Sequence, residues 1–151
     1  MISVLSDDHF MKAAIQEAQK AAEQGEVPVG AIVVCKNQII ARAHNQTQLL
    51  NDVTAHAEML AITSAANHLG GKYLNECSLY VTLEPCTMCG GALYWAQLGK
   101  LVFGASDDKR GIHLIKQRVL HPRTTIIKGI REKECSQLLT DFFEMKRKKE
   151  H

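Results

Sequence analysis

The order of strand-like and helical segments constrains the fold of this chain more than any other sequence feature. Two runs rich in β-branched residues, 29–35 and 38–44, flank Lys36-Asn37 and predict a β-hairpin. Helical patterns then alternate with short apolar runs, which predicts a three-layer α/β/α sandwich around a central mixed five-stranded sheet. The predicted helices cover residues 7–24, 55–68, 86–98 and 131–149, and the remaining predicted strands cover 78–83, 101–104 and 124–128.

Residues with suitable side chains set the predicted helix boundaries. Asp7 or Asp8 is the expected N-cap of the first helix, and Thr54 is the expected N-cap of the second. Gly99 is expected to end the third helix. Residues 107–123 show no regular period, so we expect an irregular loop there with about one turn of helix.

Length, charge and cysteine content limit the class of protein. The 151 residues suit one domain over 1–151, and the net charge of +2 does not by itself identify a partner. Residues 6–24 are charged and amphipathic, unlike a signal peptide, and no run is apolar enough to span a bilayer. We therefore expect a cytoplasmic protein without membrane association.

The five cysteines are an odd number, which in a cytosolic chain favours metal binding or burial over a disulfide framework. Cys35, Cys77 and Cys135 lie in apolar patterns and are predicted to be buried. The other two cysteines belong to a motif of a different kind.

Two short motifs contain the residue types of a catalytic metal site. His56 and Glu58 form His-x-Glu, and Cys86 and Cys89 belong to Pro-Cys-x-x-Cys. One imidazole and two thiolates suit Zn²⁺, and three protein ligands leave a fourth tetrahedral position open for water, as in catalytic sites. Cysteines three apart on the first turn of a helix face one side, near the positive end of the helix dipole. We therefore predict that His56, Cys86 and Cys89 bind Zn²⁺.

Glu58 has a different predicted role. Residues two apart at a helix start do not easily bind the same metal, so His56 is assigned to the metal and Glu58 to the substrate. Zinc lowers the pKa of a bound water towards about 7, which supplies hydroxide as the attacking group. Hydrolytic deamination also needs a carboxylate that takes the water proton, protonates a ring nitrogen and protonates the leaving amine. We predict that Glu58 is this proton shuttle.

The two motifs together resemble the signature of the cytidine deaminase superfamily. Similarity to one branch, the bacterial tRNA-specific adenosine deaminases, extends over almost the whole chain. It includes residues 26–31, Asn45, 52–58, 79–86, 102–105 and 134–143, followed by a basic tail. The resemblance implies a cytidine deaminase-like fold and zinc-dependent deamination of adenosine to inosine at the wobble position of a tRNA anticodon. It also implies a homodimer that binds the anticodon arm of tRNA.

The same resemblance implies residues that bind the substrate. Asn45 is expected to hydrogen-bond the base, since an amide matches the donor and acceptor edge of a purine. Val27 in the opening segment and Asp107 at the start of the irregular loop are further candidates. Residues 111–116 of that loop are bulkier than the glycine-rich segment common in the family, so the part expected to line the anticodon loop departs from the family pattern.

The last predicted helix offers one more candidate for substrate binding. Phe142 and Phe143 are adjacent, so one of them points away from the apolar face and is available to stack on a nucleotide, which is worth about 1–3 kcal/mol. We assign this role to Phe143, although packing of both rings in the core is the simpler interpretation. The basic residues 146–149 either contact RNA phosphates or form a solvated terminus.

Two other functions remain open from the sequence. A deaminase of a free base or nucleoside, such as guanine or cytosine, would use the same zinc chemistry. A non-catalytic zinc-binding RNA module would not need Glu58, and it would be expected to have a fourth cysteine or histidine ligand, which the sequence does not place at a standard spacing.

Overall fold

The computed structural model describes residues 5–149. It contains four α-helices, five β-strands and a 3₁₀ turn within that range, in the predicted order, and it confirms the predicted α/β fold. The elements are α1 (Asp7–Glu23), β1 (Gly30–Cys35), β2 (Gln38–His44), α2 (Ala57–Leu69), β3 (Cys77–Leu83), α3 (Thr87–Trp95), β4 (Lys100–Ala105), the 3₁₀ turn (Ile112–Leu114), β5 (Thr125–Lys128) and α4 (Glu132–Lys149).

The five strands form one mixed sheet in the order β2-β1-β3-β4-β5. Strand β1 is antiparallel to both β2 and β3, whereas β3, β4 and β5 are mutually parallel. The turn between β1 and β2 is tight because Lys36 and Asn37 both adopt the left-handed region, with φ of 52° and 64°. The predicted hairpin is therefore confirmed at the predicted residues.

Helices cover both faces of this sheet, which gives the predicted three layers. Helices α1 and α4 pack on one face, and α2 and α3 pack on the other. On the second face the small side chains of Ala57, Ala61 and Ala65 allow α2 to lie close to the strands. Because α2 and α3 share that face, the segments that lead into them come together beyond the end of β3.

The caps of the first two helices differ from the prediction. Ser6 caps α1, because its Oγ accepts a hydrogen bond from the His9 N–H at 3.1 Å. Asp7 lies inside the first turn and accepts hydrogen bonds from Tyr80 and Lys100 instead. Thr54 does not cap α2, because α2 begins later than predicted, with His56 at the N-cap position, and the Thr54 hydroxyl donates to Asp52 Oδ1 at 2.7 Å.

The third helix is shorter than predicted. It ends at Trp95, and the chain reverses at Gln97, whose φ is 54°. Leu98 is still fully buried, so the apolar pattern that suggested a longer helix continues into the turn. The predicted loop at 107–123 is confirmed, with its one turn of 3₁₀ helix.

The cysteines outside the second motif are buried, as predicted. Cys35 and Cys77 are direct neighbours across β1 and β3, and Cys135 packs from α4 against the sheet. All five cysteines are free thiols. Between residues 5 and 149, none of the helices combines the length and apolar character needed to cross a bilayer.

Candidate active site

The structure brings together the three side chains predicted as metal ligands. The Nδ1 atom of His56 lies 3.4 Å from Cys89 Sγ and 3.7 Å from Cys86 Sγ. The potential donor atoms of the three residues all lie within 4.8 Å of one another. Among residues 5–149, these three side chains form the one cluster of histidine, cysteine or acidic residues whose donor atoms are close enough to share a metal ion.

Two helix starts place these ligands. His56 occupies the N-cap position of α2, and Cys86 occupies the N-cap position of α3. Cys89 lies in the first turn of α3 and is fully buried. Strand β3 ends at Leu83, and Pro85 fixes the extended approach to Cys86. The backbone therefore positions all three donors at the starts of two helices.

The separation of the donor atoms fits a tetrahedral metal ion. With metal–sulfur distances of about 2.3 Å and metal–nitrogen distances of about 2.0–2.1 Å, tetrahedral geometry separates a sulfur from a nitrogen ligand by about 3.5 Å. The observed separations of 3.4 Å and 3.7 Å lie on either side of this value. The two thiols and the imidazole thus fit a metal that prefers sulfur and nitrogen donors.

The two thiols differ in how readily they lose a proton. The hydrogen bond from Cys89, together with that from His56, lowers the pKa of Cys86 to about 3. The same bond to Cys86, together with burial, raises the pKa of Cys89. Cys86 is therefore the thiolate and Cys89 the thiol that donates to it, and a divalent cation is the kind of group that stabilises both as thiolates.

Glu58 lies beside this cluster in the first turn of α2. Only 4% of its surface is exposed, and it lines the same cavity as His56 and Cys86. Burial raises the pKa of Glu58 to about 7, against the opposing effects of a backbone hydrogen bond and the nearby His56. A carboxyl group with these surroundings is able to hold or release a proton near neutral pH.

The cavity next to the cluster has a volume of about 290 Å³. This is close to the lower end of the range of about 300–1,000 Å³ for ligand pockets, so the cavity suits one base rather than a longer segment of nucleic acid. Its walls come from the segment before β1, the end of β2, both helix starts and the loop after β4. The lining residues are Val27, Val29, Asn45, Thr47, His56, Ala57, Glu58, Leu83, Glu84, Cys86, Asp107 and Arg110.

Three of the four residues predicted to bind substrate line this cavity, namely Val27, Asn45 and Asp107. Asn45 is 8% exposed, its Nδ2 donates to the Val27 carbonyl at 3.3 Å, and its Oδ1 accepts from the Thr47 N–H at 3.2 Å. A side-chain amide has two donor hydrogens and two acceptor lone pairs. One of each is left to meet a ligand, and the two internal bonds fix the direction in which they point.

Phe143 does not line this cavity. It lies on α4, is 41% exposed, and meets Phe142 edge-on at a ring-centroid distance of 5.4 Å. Phe142 is the more buried of the two rings and lines a second cavity between α1 and α4. The expectation that the two rings face different ways is confirmed, whereas the role of Phe143 in substrate binding stays a prediction.

Six residues of the cavity wall were not predicted from the sequence, and two of these, Glu84 and Arg110, have ionisable side chains. Glu84 is almost fully buried, and its carboxylate accepts hydrogen bonds from the backbone N–H groups of Asp107 and His113, at 3.0 Å and 2.8 Å. An acidic residue directly before Pro85-Cys86 in an apolar strand was the available signal. Arg110 had no such signal, because only the folded loop places it at the cavity.

Glu26 fixes a second loop at the cavity in the same manner. Its buried carboxylate accepts the backbone N–H groups of Gln48 and Leu49, at 2.9 Å and 2.7 Å. This arrangement holds the segment between β2 and α2, which leads to His56. Both loops of the site are therefore anchored by buried carboxylates.

The sequence profile of the MafB19-like deaminases matches residues 5–147. The chain belongs to the MafB19-like deaminase family. Among the relatives of this deaminase, the tRNA-specific adenosine deaminase of Bacillus subtilis (strain 168) is 45% identical over 148 residues, which cover 95% of this chain and 92% of the relative.

Solved structures resemble this deaminase in the same way. A structure from studies of A-to-I editing by tRNA:A34 deaminases at the wobble position is 43% identical, with a TM-score of 0.82 over 87% of this chain and 99% of that chain. A guanine deaminase from Bacillus subtilis is 38% identical, with a TM-score of 0.65 over 68% of this chain and 66% of that chain. The cytidine deaminase-like fold expected from the resemblance is confirmed.

Proposed function

We propose that this enzyme deaminates adenosine to inosine by hydrolysis at the wobble position of a tRNA anticodon. The observation that carries the proposal is one cavity that Glu58 and Asn45 line together with two of the three candidate metal ligands, His56 and Cys86. The similarity to tRNA-specific adenosine deaminases over nearly the full length of both chains supports this choice of substrate.

The proposed metal is Zn²⁺, held by His56, Cys86 and Cys89. Two sulfur donors and one imidazole suit zinc, and the three protein ligands leave one position open. Bound there, Zn²⁺ would supply a Lewis acid that activates water for attack at neutral pH.

The residues of the chain supply the proton transfers. The Glu58 carboxylate takes a proton from the attacking water as its oxygen bonds to C6 of adenine, and it gives a proton to ring nitrogen N1. It then takes the second proton from the new C6 hydroxyl group and gives it to the amine as the C6–N6 bond breaks, which leaves the C6 carbonyl of inosine and ammonia. Glu58 is buried and lines the cavity, so it is the carboxyl group placed to exchange protons with the base.

The proposed substrate contacts follow from the cavity. Asn45 presents its remaining donor and acceptor to the edge of the purine, and Val27 packs beside the base. Asp107 lies at the wall formed by the loop after β4. Phe143 lies outside the cavity, so its proposed partner is a nucleotide other than the one that reacts.

The proposal includes a homodimer in the cytoplasm, where tRNA is used. Several large apolar side chains that are exposed in the single chain support self-association, because they would be covered in a dimer: Leu49, Leu50, Val53, Tyr94 and Trp95. Analytical ultracentrifugation of the zinc-loaded enzyme tests this part, and a monomer at high micromolar concentration would contradict it.

The test of the proposed function is incubation of the zinc-loaded enzyme with total tRNA, followed by digestion and detection of inosine by mass spectrometry. The similarity to a guanine deaminase favours one alternative, a free-base deaminase. Ammonia release from guanine, cytosine and adenosine measured in parallel separates the two. Inosine in tRNA with no ammonia from guanine, cytosine or free adenosine is the expected result, and the reverse pattern would contradict the proposal.

A further inference from the structure

Arg110 is the only lysine or arginine that lines the active-site cavity within residues 5–149. Its side chain is exposed, and no hydrogen bond or ion pair engages its guanidinium among the described residues. The other ionisable side chains of the wall besides the metal ligands are the acids Glu58, Glu84 and Asp107. An unpaired cation therefore stands at the opening of an otherwise acidic cavity.

The turn that presents Arg110 is held from several sides. The Oδ1 atom of Asp107 accepts the backbone N–H groups of Lys109 and Arg110, each at 3.0 Å. The Asp107 carbonyl accepts the Gly111 N–H at 3.0 Å, and Glu84 binds the N–H of Asp107. Because the backbone is fixed in this way, placing the guanidinium costs only the entropy of the side chain.

The residue after Arg110 adds to this constraint. An added Cβ at Gly111 would contact the Glu84 carboxylate and the Asp107 carbonyl, so the turn packs directly on these groups. The backbone of Gly111 also pairs with Cys86 in an isolated bridge. The position of Arg110 is therefore tied to the position of a metal-ligand segment.

The size of the cavity indicates what Arg110 meets. A cavity of about 290 Å³ takes one base, so the sugar and the flanking phosphates of an RNA substrate lie at its opening. Arginine binds phosphate through charge-assisted, often bidentate hydrogen bonds. Resting on the proposed function, we propose that Arg110 binds a backbone phosphate next to the adenosine whose base enters the cavity.

Lys109 is a matched control for this assignment. It has the same charge, precedes Arg110 in the same turn, and its N–H binds the same Asp107 oxygen at the same distance. It does not line the cavity. Substitution of Lys109 by alanine removes one positive charge from the loop but leaves the Arg110 guanidinium at the opening of the cavity.

The first measurement is binding of a fluorescently labelled anticodon stem–loop RNA by anisotropy at several salt concentrations. Each phosphate contact in single-stranded RNA contributes about 0.7 to the slope of log K against log salt. Arg110→Ala should lower the slope by about this amount and weaken binding by about 10- to 150-fold at low salt, the fold-change that corresponds to a charge-assisted bond of about 1.5–3 kcal/mol. Arg110→Lys should keep the slope, and Lys109→Ala should bind as the wild type does.

The second measurement identifies the phosphate. Stem–loop RNAs with a neutral methylphosphonate at the phosphate 5′ or 3′ of the target adenosine are bound to wild type and to Arg110→Ala. At one of the two positions the modification should weaken binding to wild type but not to Arg110→Ala, because the contact is already absent in the variant. A merely structural role of Arg110 would not produce this coupling.

The outcomes separate this inference from the proposed function. Equal salt slopes for wild type and Arg110→Ala, or methylphosphonate effects that are the same in both proteins, would overturn the assignment of Arg110. Absence of inosine after incubation of wild type with the unmodified stem–loop would overturn the proposed function, even if the binding data identify a phosphate contact.

Discussion

Glu84 binds His113 through two hydrogen bonds, one from the backbone N–H at 2.8 Å and one from ring atom Nδ1 at 2.6 Å. The same carboxylate accepts the N–H of Asp107, so one buried side chain connects the start of the loop to His113 within it. The loop is therefore held in place by Glu84, next to the metal-ligand segment in the chain, rather than by packing alone.

Glu84→Gln should destabilise this loop. The amide has a single acceptor oxygen, so its NH₂ group would face a backbone donor that loses its partner. We expect the free energy of unfolding to fall by about 1–3 kcal/mol in denaturant titrations, the usual cost of an unsatisfied buried group. The exposed Glu76→Gln is the control. Equal stability of wild type and Glu84→Gln would show that the loop does not depend on this carboxylate.

Cys86→Ser or Cys89→Ser should remove the metal. The thiolates are two of the three protein ligands, and a serine hydroxyl is a poor replacement for a thiolate as a zinc ligand. Wild type should contain about one zinc per chain by atomic emission, and each variant should lose it and unfold more easily, because metal binding is coupled to folding. Cys35→Ala, at the buried last residue of β1 and outside the ligand cluster, should keep its zinc.

Full zinc occupancy in the Cys86 and Cys89 double serine variant would place the metal elsewhere. Loss of zinc from Cys35→Ala with an intact fold would equally contradict the assigned ligand set.

Asp7→Asn should lower stability at neutral pH but not in acid. Burial raises the pKa of Asp7, but the hydrogen bonds from Lys100 and Tyr80 lower it further, so the pKa lies below its ordinary value of 3.8. A carboxyl group with a lowered pKa contributes stability above the pKa of the unfolded state and loses it as the pH falls through the folded-state value. The difference between wild type and Asp7→Asn should therefore shrink in strong acid.

We expect this difference to be about 1–2 kcal/mol near pH 7, because the site is partly exposed to water and screened. Urea titrations between neutral and acidic pH measure it, with the exposed Asp108→Asn as a control. A stability difference that does not change with pH would mean that the charge of Asp7 is not what stabilises α1 on the sheet.

Some parts of this molecule follow from local sequence and others do not. The β1–β2 turn was predictable, because Asn37 readily adopts a positive φ and the flanking runs are β-branched. The helix cap predicted at Thr54 is absent, because the Thr54 hydroxyl binds Asp52 instead. Local patterns do not show which of several nearby polar groups a side chain will choose.

In the candidate site, too, local sequence predicts some residues and not others. Cys86 and Cys89 have a spacing that local geometry explains, and the His-x-Glu motif is equally compact. The contact between Glu84 and the loop at Asp107, and the position of Arg110, depend on how β3 and β4 pair in the folded sheet. A single sequence contains no local signal for such long-range contacts.

Neutralising the basic end of α4 should weaken RNA binding if this end contacts phosphates. The variant replaces Lys146, Arg147, Lys148 and Lys149 with alanine, and we expect lower affinity and a flatter salt dependence in anisotropy measurements. Lys133→Ala, near the other end of the same helix, is the control. The same affinity and salt slope as wild type would identify the tail as a solvated terminus.

Glu58→Ala tests the division of roles at the centre of the account. The variant should keep its fold and its zinc, because His56, Cys86 and Cys89 supply the protein ligands, but it should lose deamination. General acid–base groups contribute about 10²–10⁴-fold, and a group that serves several transfers should lie at or beyond the upper end. Glu58→Gln, which keeps the shape, should be similarly inactive.

The measurement is single-turnover formation of inosine in tRNA, made beside the zinc content of the same preparation. The account predicts full zinc occupancy and a rate at least about 10⁴-fold below wild type. A near wild-type rate would show that Glu58 is not the proton shuttle, and loss of zinc would show that Glu58 is part of the metal site.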